Sequence, residues 1–364
     1  MKDLQNLLLL FRILEDKPVA LAALLHQWGS ASAVLEAVSC ASPNTFEQRI
    51  RTRIESAPVE ELKARVDQDQ HWLAQPNHHL LVLGEPGYPE LLAEIPDPPV
   101  LLFCWGKVEA LKAFRVAMVG SRNPTRMGIK HAEEFASQLA ALGIAVTSGL
   151  ALGIDAASHR GALSVGGSTI AVLGCGCDKL YPHRHRKLRD EIVEEGLVIS
   201  EFPLGATAFP AHFPRRNRVV TGMSLGTLVV EAQERSGSLI SARLAMEQGR
   251  PVCALPGSIN SRQSRGCHGL IRDGVTLVEN VAQLLQEMES LATFQVQQLN
   301  NDGVNPVEHS TERKDVLACL GTEPVVVDVL CDLLGKETSE LLAILVELEI
   351  DGYVVSEAGG YSLV

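Results

Sequence analysis

Residues 116–122 read VAMVGSR, and residues 144–150 read IAVTSGL. Each is a short apolar run that ends in a glycine beside a serine. Runs that are apolar on both faces are what buried parallel strands require. Four more follow, at Thr169–Leu173, Leu197–Ser200, Thr227–Val230 and Val252–Ala254, so that successive starts fall 25 to 30 residues apart. Between the first two, a helical period sets Ile129, Ala132, Phe135, Ala136 and Leu139 on one face, and Gly143 ends it. Strand and helix alternating at this interval predict an α/β fold, an extended Rossmann-like, doubly wound parallel sheet.

Outward from that core the pattern changes on both sides. Residues 1–75 read as short helices. Leu21, Leu24, Leu25 and Trp28 follow helical spacing, Gly29-Ser30 breaks it, and Ala31 to Val38 resumes it. This is the rhythm of a small helix-hairpin-helix or SAM-like bundle, assigned to packing because the segment is acidic. Residues 84–99 (GEPGYPELLAEIPDPP) read as a Pro/Gly-rich connector. The core is placed at 76–284. A polar, Gln/Asn-rich linker without period is placed at 285–312. Residues 313–364 hold helical runs near Val316–Leu320, Val325–Leu334 and Ser339–Leu348, then Asp351-Gly352 and a strand at Tyr361–Val364. Helices followed by a hairpin outline a small winged-helix-like domain.

The 364-residue chain carries 32 Lys+Arg against 44 Asp+Glu, a net charge of −12. That excludes a uniformly basic nucleic-acid coat. The distribution is more informative. Residues 115–280 hold 19 basic and 14 acidic groups, whereas residues 311–364 hold 3 and 11. A polyanion would therefore be met by the middle of the chain, and the C-terminal domain is expected not to read DNA. Its helix at Ser339–Leu348 carries Glu340 and Glu347 and no basic residue. No apolar run approaches the ~20 residues of a membrane span, and the N-terminus lacks a signal-peptide pattern, so the expected location is cytoplasmic. Eight cysteines occur with no C-x-x-C pair. Cys175 and Cys177 near His183 and His185 have the wrong spacing for a zinc site, and no metal or other cofactor is expected.

In open parallel sheets ligands bind outside the carboxyl ends of the strands. After the first strand come Gly120, Ser121 and Arg122, with a helix starting just beyond. Glycine permits close backbone approach, serine offers a hydroxyl, and arginine offers a fork of donors. The helix N-terminus is expected to point at the anion that Arg122 holds. After the second strand, Ser148 to Asp155 form another glycine-rich turn, with Asp155 and His159 read as a capping and a structural residue. Between the fourth and fifth strands lie Phe213, Pro214, Arg215, Arg216, Asn217 and Arg218, read as a loop in which arginine meets phosphate and phenylalanine a base. After the fifth, Ser236, Gly237 and Ser238 aim small polar groups at the same edge. Neither G-x-x-x-x-G-K-[ST] nor G-x-G-x-x-G occurs, which removes the usual support for an ATPase or a dinucleotide oxidoreductase. No nucleophile–base pair stands out, so no catalytic residue is assigned.

Collinear motifs carry a resemblance. They are Tyr88-Pro89, Val119-Gly120-Ser121-Arg122, Ser148-Gly149-Leu150-Ala151 with Gly153-Ile154-Asp155, Tyr181-Pro182, Ser200-Glu201, Phe213-Pro214 with Arg216-Asn217-Arg218, Ser236-Gly237-Ser238-Leu239 and Pro256-Gly257. Together they resemble the DNA-processing protein A family (DprA, also called Smf). The resemblance implies a protein that binds single-stranded DNA, forms a homodimer, protects incoming DNA and loads RecA recombinase during natural transformation, without a required catalytic reaction. His185 and His268 stand where the family has asparagine, which affects loop contacts. The wider superfamily leaves a second reading open, a Rossmann-type enzyme or sensor for a phosphorylated nucleoside.

Overall fold

The computed structural model describes residues 2–40 and 48–289 without interruption and, beyond them, separate stretches of which the longest are 325–334, 354–357 and 360–363. The chain divides into two compact units, Met1–Ala292 and Thr293–Val364.

The first unit opens with α1 (Lys2–Ile13), α2 (Pro18–Trp28), α3 (Ala31–Cys40), α4 (Gln48–Glu55) and α5 (Val59–Leu73). Pro18 starts α2 where its missing N–H costs nothing. Gly29, at φ +76°, ends α2 by donating its N–H to Leu25 O at 2.8 Å, the left-handed stop expected from Gly29-Ser30. Leu8, Leu10, Leu14, Leu21 and Val34 are buried in one cluster with Leu101, Phe103, Ala171 and Val198 of the sheet. Arg12 is buried with Asp69 (Nε to Oδ2 2.7 Å) and also donates to Leu204 O at 3.2 Å, so a polar tie joins α1 to the core.

The sheet has nine described strands: β1 (His78–Val82), β2 (Leu101–Gly106), β3 (Arg115–Val119), β4 (Ala145–Ser148), β5 (Thr169–Val172), β6 (Leu197–Ser200), β7 (Gly226–Val229), β8 (Val252–Ala254) and β9 (Thr276–Leu277). Their order is β1-β2-β6-β5-β4-β3-β7-β8-β9. From β6 to β9 every pairing is parallel, while β2 runs antiparallel to both β6 and β1. The six anticipated strands are β3 to β8, displaced by at most one residue at their starts. β1, β2 and β9 were not anticipated. An antiparallel edge pair and a two-residue strand lie outside the strand–helix alternation that revealed the others.

Helices cover both faces, as a doubly wound sheet requires. Beyond a single turn α6 (Glu90–Ala93) come α7 (Arg126–Ala141), α8 (Ile154–Leu163), α9 (Arg186–Glu195), α10 (His212–Gly222), α11 (Gly237–Glu247), α12 (Arg265–Arg272) and α13 (Val281–Gln286). Val116 and Met118 pack on Ala132, Phe135 and Ala136 of α7 and Ile154 of α8. Ala117 and Val119 point the other way, to the side of Val219 in α10, Ala242 in α11 and Leu270 in α12. This alternation is the period-2 pleat with both faces apolar.

The second unit contains α14 (Val327–Leu334) and a hairpin of β10 (Val354–Glu357) and β11 (Gly360–Leu363), with Val325 bridged to Tyr361. Leu320, Leu330, Leu345 and Val354 share its core. The anticipated linker beyond Glu289, the Asp351-Gly352 pair, and parts of the runs at Val316–Leu320 and Ser339–Leu348 lie outside the described residues.

Candidate functional site

β3 is flanked by β4 on one side and β7 on the other, and the chain leaves β3 and β7 toward opposite faces. That reversal is a topological switch point, where the loops diverge and leave a crevice at the carboxyl edge. Two loops frame it. Ser121 N–H donates to Glu231 O at 2.7 Å, which staples the loop after β3 to the loop after β7. Gly153, at φ +85°, lies so close beneath Ser121 and Pro124 that a Cβ would strike the Ser121 carbonyl oxygen.

The start of α7 corrects one expectation. Thr125 N–H donates to Glu231 Oε2 at 2.9 Å, the Thr125 hydroxyl donates to Glu231 Oε1, and Thr125 Oγ1 accepts from Gly128 N at 3.0 Å. An internal carboxylate and an internal cap already occupy this helix N-terminus. It does not point at a ligand held by Arg122. The start of α11 is different. Ser236 Oγ accepts from Ser238 N at 3.3 Å and lies 2.6 Å from Ser238 Oγ, while Gly237 is exposed with nothing within 4 Å of where a Cβ would stand. This 11-residue helix turns its positive end to open space.

Between these elements is a cavity of about 600 Å³. Gly120, Ser121, Arg122, Phe213, Arg216, Asn217, Ser236, Gly237 and Ser238 all line it, as do Asn123, Tyr181 and Gln233. Arg122 is exposed, and its guanidinium carbon lies 5.3 Å from the centre of the Phe213 ring. No carboxylate pairs with Arg122 among the described residues. Phe213 stands 5.6 Å from the Tyr181 ring and sits over Gly174, where a Cβ would come within 3.1 Å of its ring. Cation, aromatic rings and helix N–H groups thus converge on one space.

The cluster of arginines is helical rather than a loop, and the period divides it. Phe213, Arg216, Asn217 and Val220 share the cavity face of α10. Arg215 and Arg218 face away and meet on Glu201. Arg215 lies 3.0 Å and Arg218 2.5 Å from Glu201 Oε2. Arg218 also contacts the Asp97 carboxylate at 3.1 Å and donates to Asp97 O at 2.6 Å. Arg216 reaches the cavity but is 3% exposed. Its Nη1 donates to Gly149 O at 2.6 Å and to Val172 O, so it clamps the ends of β4 and β5 together. A Cβ on Gly149 would run into this guanidinium. Burial pulls the Arg216 pKa down, and the neighbouring Asp155 carboxylate opposes that.

Asp155 accepts from the amides of Gly149 (3.2 Å) and Ala151 (3.3 Å); burial pushes its carboxyl upward against the pull of Arg216. His159 is fully buried. Its Nδ1 lies 2.7 Å from Thr169 Oγ1, whose hydroxyl donates to Val146 O, so Nδ1 carries the proton. Burial first, then His185 and Arg216, lower its pKa to about 3. The two side chains serve the turn and the sheet respectively. Cys177 Sγ donates to Phe103 O at 3.1 Å and His185 Nδ1 contacts Leu150 O at 2.9 Å, so these two are committed to separate backbone carbonyls. His268 Nε2 contacts Gly257 O at 3.0 Å.

Sequence reasoning left Asn123, Tyr181 and Gln233 out of the site. The first and last lie in the same post-strand loops as the chosen residues, which was the available signal. The role of Glu201 had no local signal, because its partners lie 14 and 17 residues away.

A family profile described as DNA recombination-mediator protein A matches residues 79–289, the segment that contains the whole crevice. The chain belongs to the DNA recombination-mediator protein A family. A second profile, the DprA winged helix domain, matches residues 304–360. The chain is 41% identical to Protein Smf of Escherichia coli (strain K12) over 293 residues, 80% of this chain and 78% of that one. It is 46% identical to DNA processing protein DprA of Streptococcus pneumoniae over 202 residues, 56% of this chain and 71% of that one. The X-ray structure of the pneumococcal protein superposes with a TM-score of 0.60 at 38% identity, covering 70% of this chain and 85% of that one. DNA processing protein A of Helicobacter pylori, a protein described for its single-stranded DNA binding mode, superposes with a TM-score of 0.52 at 30% identity, covering 59% and 96%. No described helix is long and apolar enough to cross a membrane.

Proposed function

We propose that this chain captures single-stranded DNA in the crevice between β3 and β7. The observation that carries the reading is the stacking of Arg122 on Phe213 beside the open end of α11. Arg122 and the α11 amides suit phosphate, and the rings of Phe213 and exposed Tyr181 suit bases, the combination used by single-strand grooves. Bases inside a duplex are not free to stack on these rings. Asn217, Ser236 and Ser238 supply further polar contacts, whereas Arg215, Arg216 and Arg218 hold the helix and the floor of the crevice. The chain acts without chemical turnover, protects incoming single strands, works as a homodimer and delivers the strand to RecA recombinase in the cytoplasm. The acidic C-terminal segment meets protein rather than DNA.

Affinity for a labelled oligonucleotide, single- and double-stranded, across a salt series tests this reading. Strong, salt-dependent preference for the single strand is expected. Arg122→Ala weakens all sequences alike and lowers the slope of log affinity on log salt by about 0.7, one phosphate's share on a single strand. Unchanged slope and affinity exclude Arg122 as a phosphate ligand. Tight uptake of a mononucleotide with no oligonucleotide binding would instead establish the nucleoside reading.

A further inference from the structure

Glu201 follows β6 in the interior, 3% exposed, and one of its oxygens carries the whole anchoring face of α10. Oε2 accepts from Arg215 Nε at 3.1 Å and from Arg218 Nη2 at 2.5 Å. Oε1 has no hydrogen-bond partner among the described residues. Arg215 is further sandwiched, its guanidinium 5.1 Å from the Phe202 ring and its Nη1 3.5 Å from Glu15 O, next to the end of α1. A buried carboxylate with one oxygen unpaired is a poor choice for stability alone, because an apolar side chain of similar volume avoids the desolvation cost. What such a group does well is fix register. Here the register is the rotation of α10 about its own axis. Arg215 and Arg218 are one turn apart on one side, and Phe213, Arg216 and Asn217 occupy the other. Side-chain ends about 5 to 6 Å from a helix axis move by about 2 Å for a 20° turn, enough to lift Phe213 off Arg122.

We propose that Glu201 is a positioning residue for strand capture: through Arg215 and Arg218 it sets the rotation of α10 that presents Phe213 and Asn217 to the DNA. This rests on reading the crevice as the DNA site. It also assigns Arg215 and Arg218, two of the most conspicuous cations in the sequence, to an indirect role.

The test is Glu201→Gln in the full chain, with oligonucleotide affinity measured across salt. Charge alone predicts tighter binding, since the variant is one unit less negative. Positioning predicts the opposite sign, binding about tenfold weaker with the salt slope unchanged, because no phosphate contact is lost. It also predicts coupling: Phe213→Leu costs less than half as many fold in the Glu201→Gln background as in the native one. Equal or tighter binding, or strictly multiplicative costs, overturns the assignment. If Glu201→Gln does not fold, Arg215→Gln reads the same contact from its partly exposed end. Weaker binding at constant slope supports positioning; a slope lower by about 0.7, or no weakening, overturns it. Failure of the crevice reading looks different, because Arg122→Ala and Phe213→Leu then have no effect in the native background.

Discussion

The guanidinium of Arg122 lies over the ring of Phe213, 5.3 Å from its centre, although the two residues come from distant parts of the chain. Arg122 follows β3, and Phe213 rides on α10, whose far face is fastened to Glu201. Neither residue is fully buried, so neither is needed to hold the core. On the proposed reading their contact serves strand affinity, and the two halves should fail differently.

Phe213→Ala is expected to cost about 1–3 kcal/mol of single-strand binding, the range for one stacked base, while leaving the salt slope unchanged. Arg122→Ala changes the slope instead. Fluorescence anisotropy of a labelled oligonucleotide at several salt concentrations separates the two, and a change of slope in Phe213→Ala would show that the ring only props Arg122.

Gly237→Ala separates binding from folding. The added methyl group meets nothing within 4 Å in the free protein. Alanine is favoured over glycine within a helix by up to about 1 kcal/mol, so thermal stability should hold or rise. A phosphate seated on the α11 amides needs that space, and affinity should fall several-fold. Unchanged affinity would put the phosphate elsewhere.

Arg216→Met should behave as a core lesion. It strands Gly149 O and Val172 O without their donor and leaves Asp155 with Arg122 alone as a neighbouring cation. Each stranded carbonyl is worth about 1–3 kcal/mol, so urea unfolding should show a loss on the order of 2–5 kcal/mol. Arg216→Lys should rescue little, because a single ammonium lacks the planar fork. A folded Arg216→Met of native stability that merely binds DNA less well would return Arg216 to the set of direct ligands.

His159 gives stability an acid-side slope. Its folded value of about 3 lies below the ordinary 6.5, so the native state holds the ring neutral. The unfolded chain takes up the proton first. The associated stability is therefore fully present above pH 6.5 and drains as pH falls from 6.5 toward 3, at up to about 1.4 kcal/mol per pH unit. Urea titrations at pH 7.5 and 5.0 should show this loss in the native chain and a smaller one in His159→Gln. Equal losses in both would assign the slope to other groups.

Several features were legible without coordinates because their cause is local. β3 to β8 could be placed to within a residue at their starts, since each is an apolar run closed by a turn residue. Helix α7 was readable from its 3.6-residue stripe, and the post-strand loops of Gly120 to Arg122 and Ser236 to Ser238 were readable as crevice walls from strand direction alone. β1 and β2 were hidden because antiparallel edge strands break the alternation that served as the signal.

By itself the sequence determined a doubly wound sheet, the basic charge of its middle segment, and the identity of the small, cationic and aromatic residues at one edge. Only the tertiary structure decided which of those residues face the cavity. Helical phase turned Arg215 and Arg218 away from Phe213. Glu231 occupied the start of α7 and left the start of α11 open, and Arg216 was spent on the carbonyls of Gly149 and Val172. In each case the deciding partner is distant in the chain, and a buried charge must find its counter-charge or acceptor wherever packing supplies one.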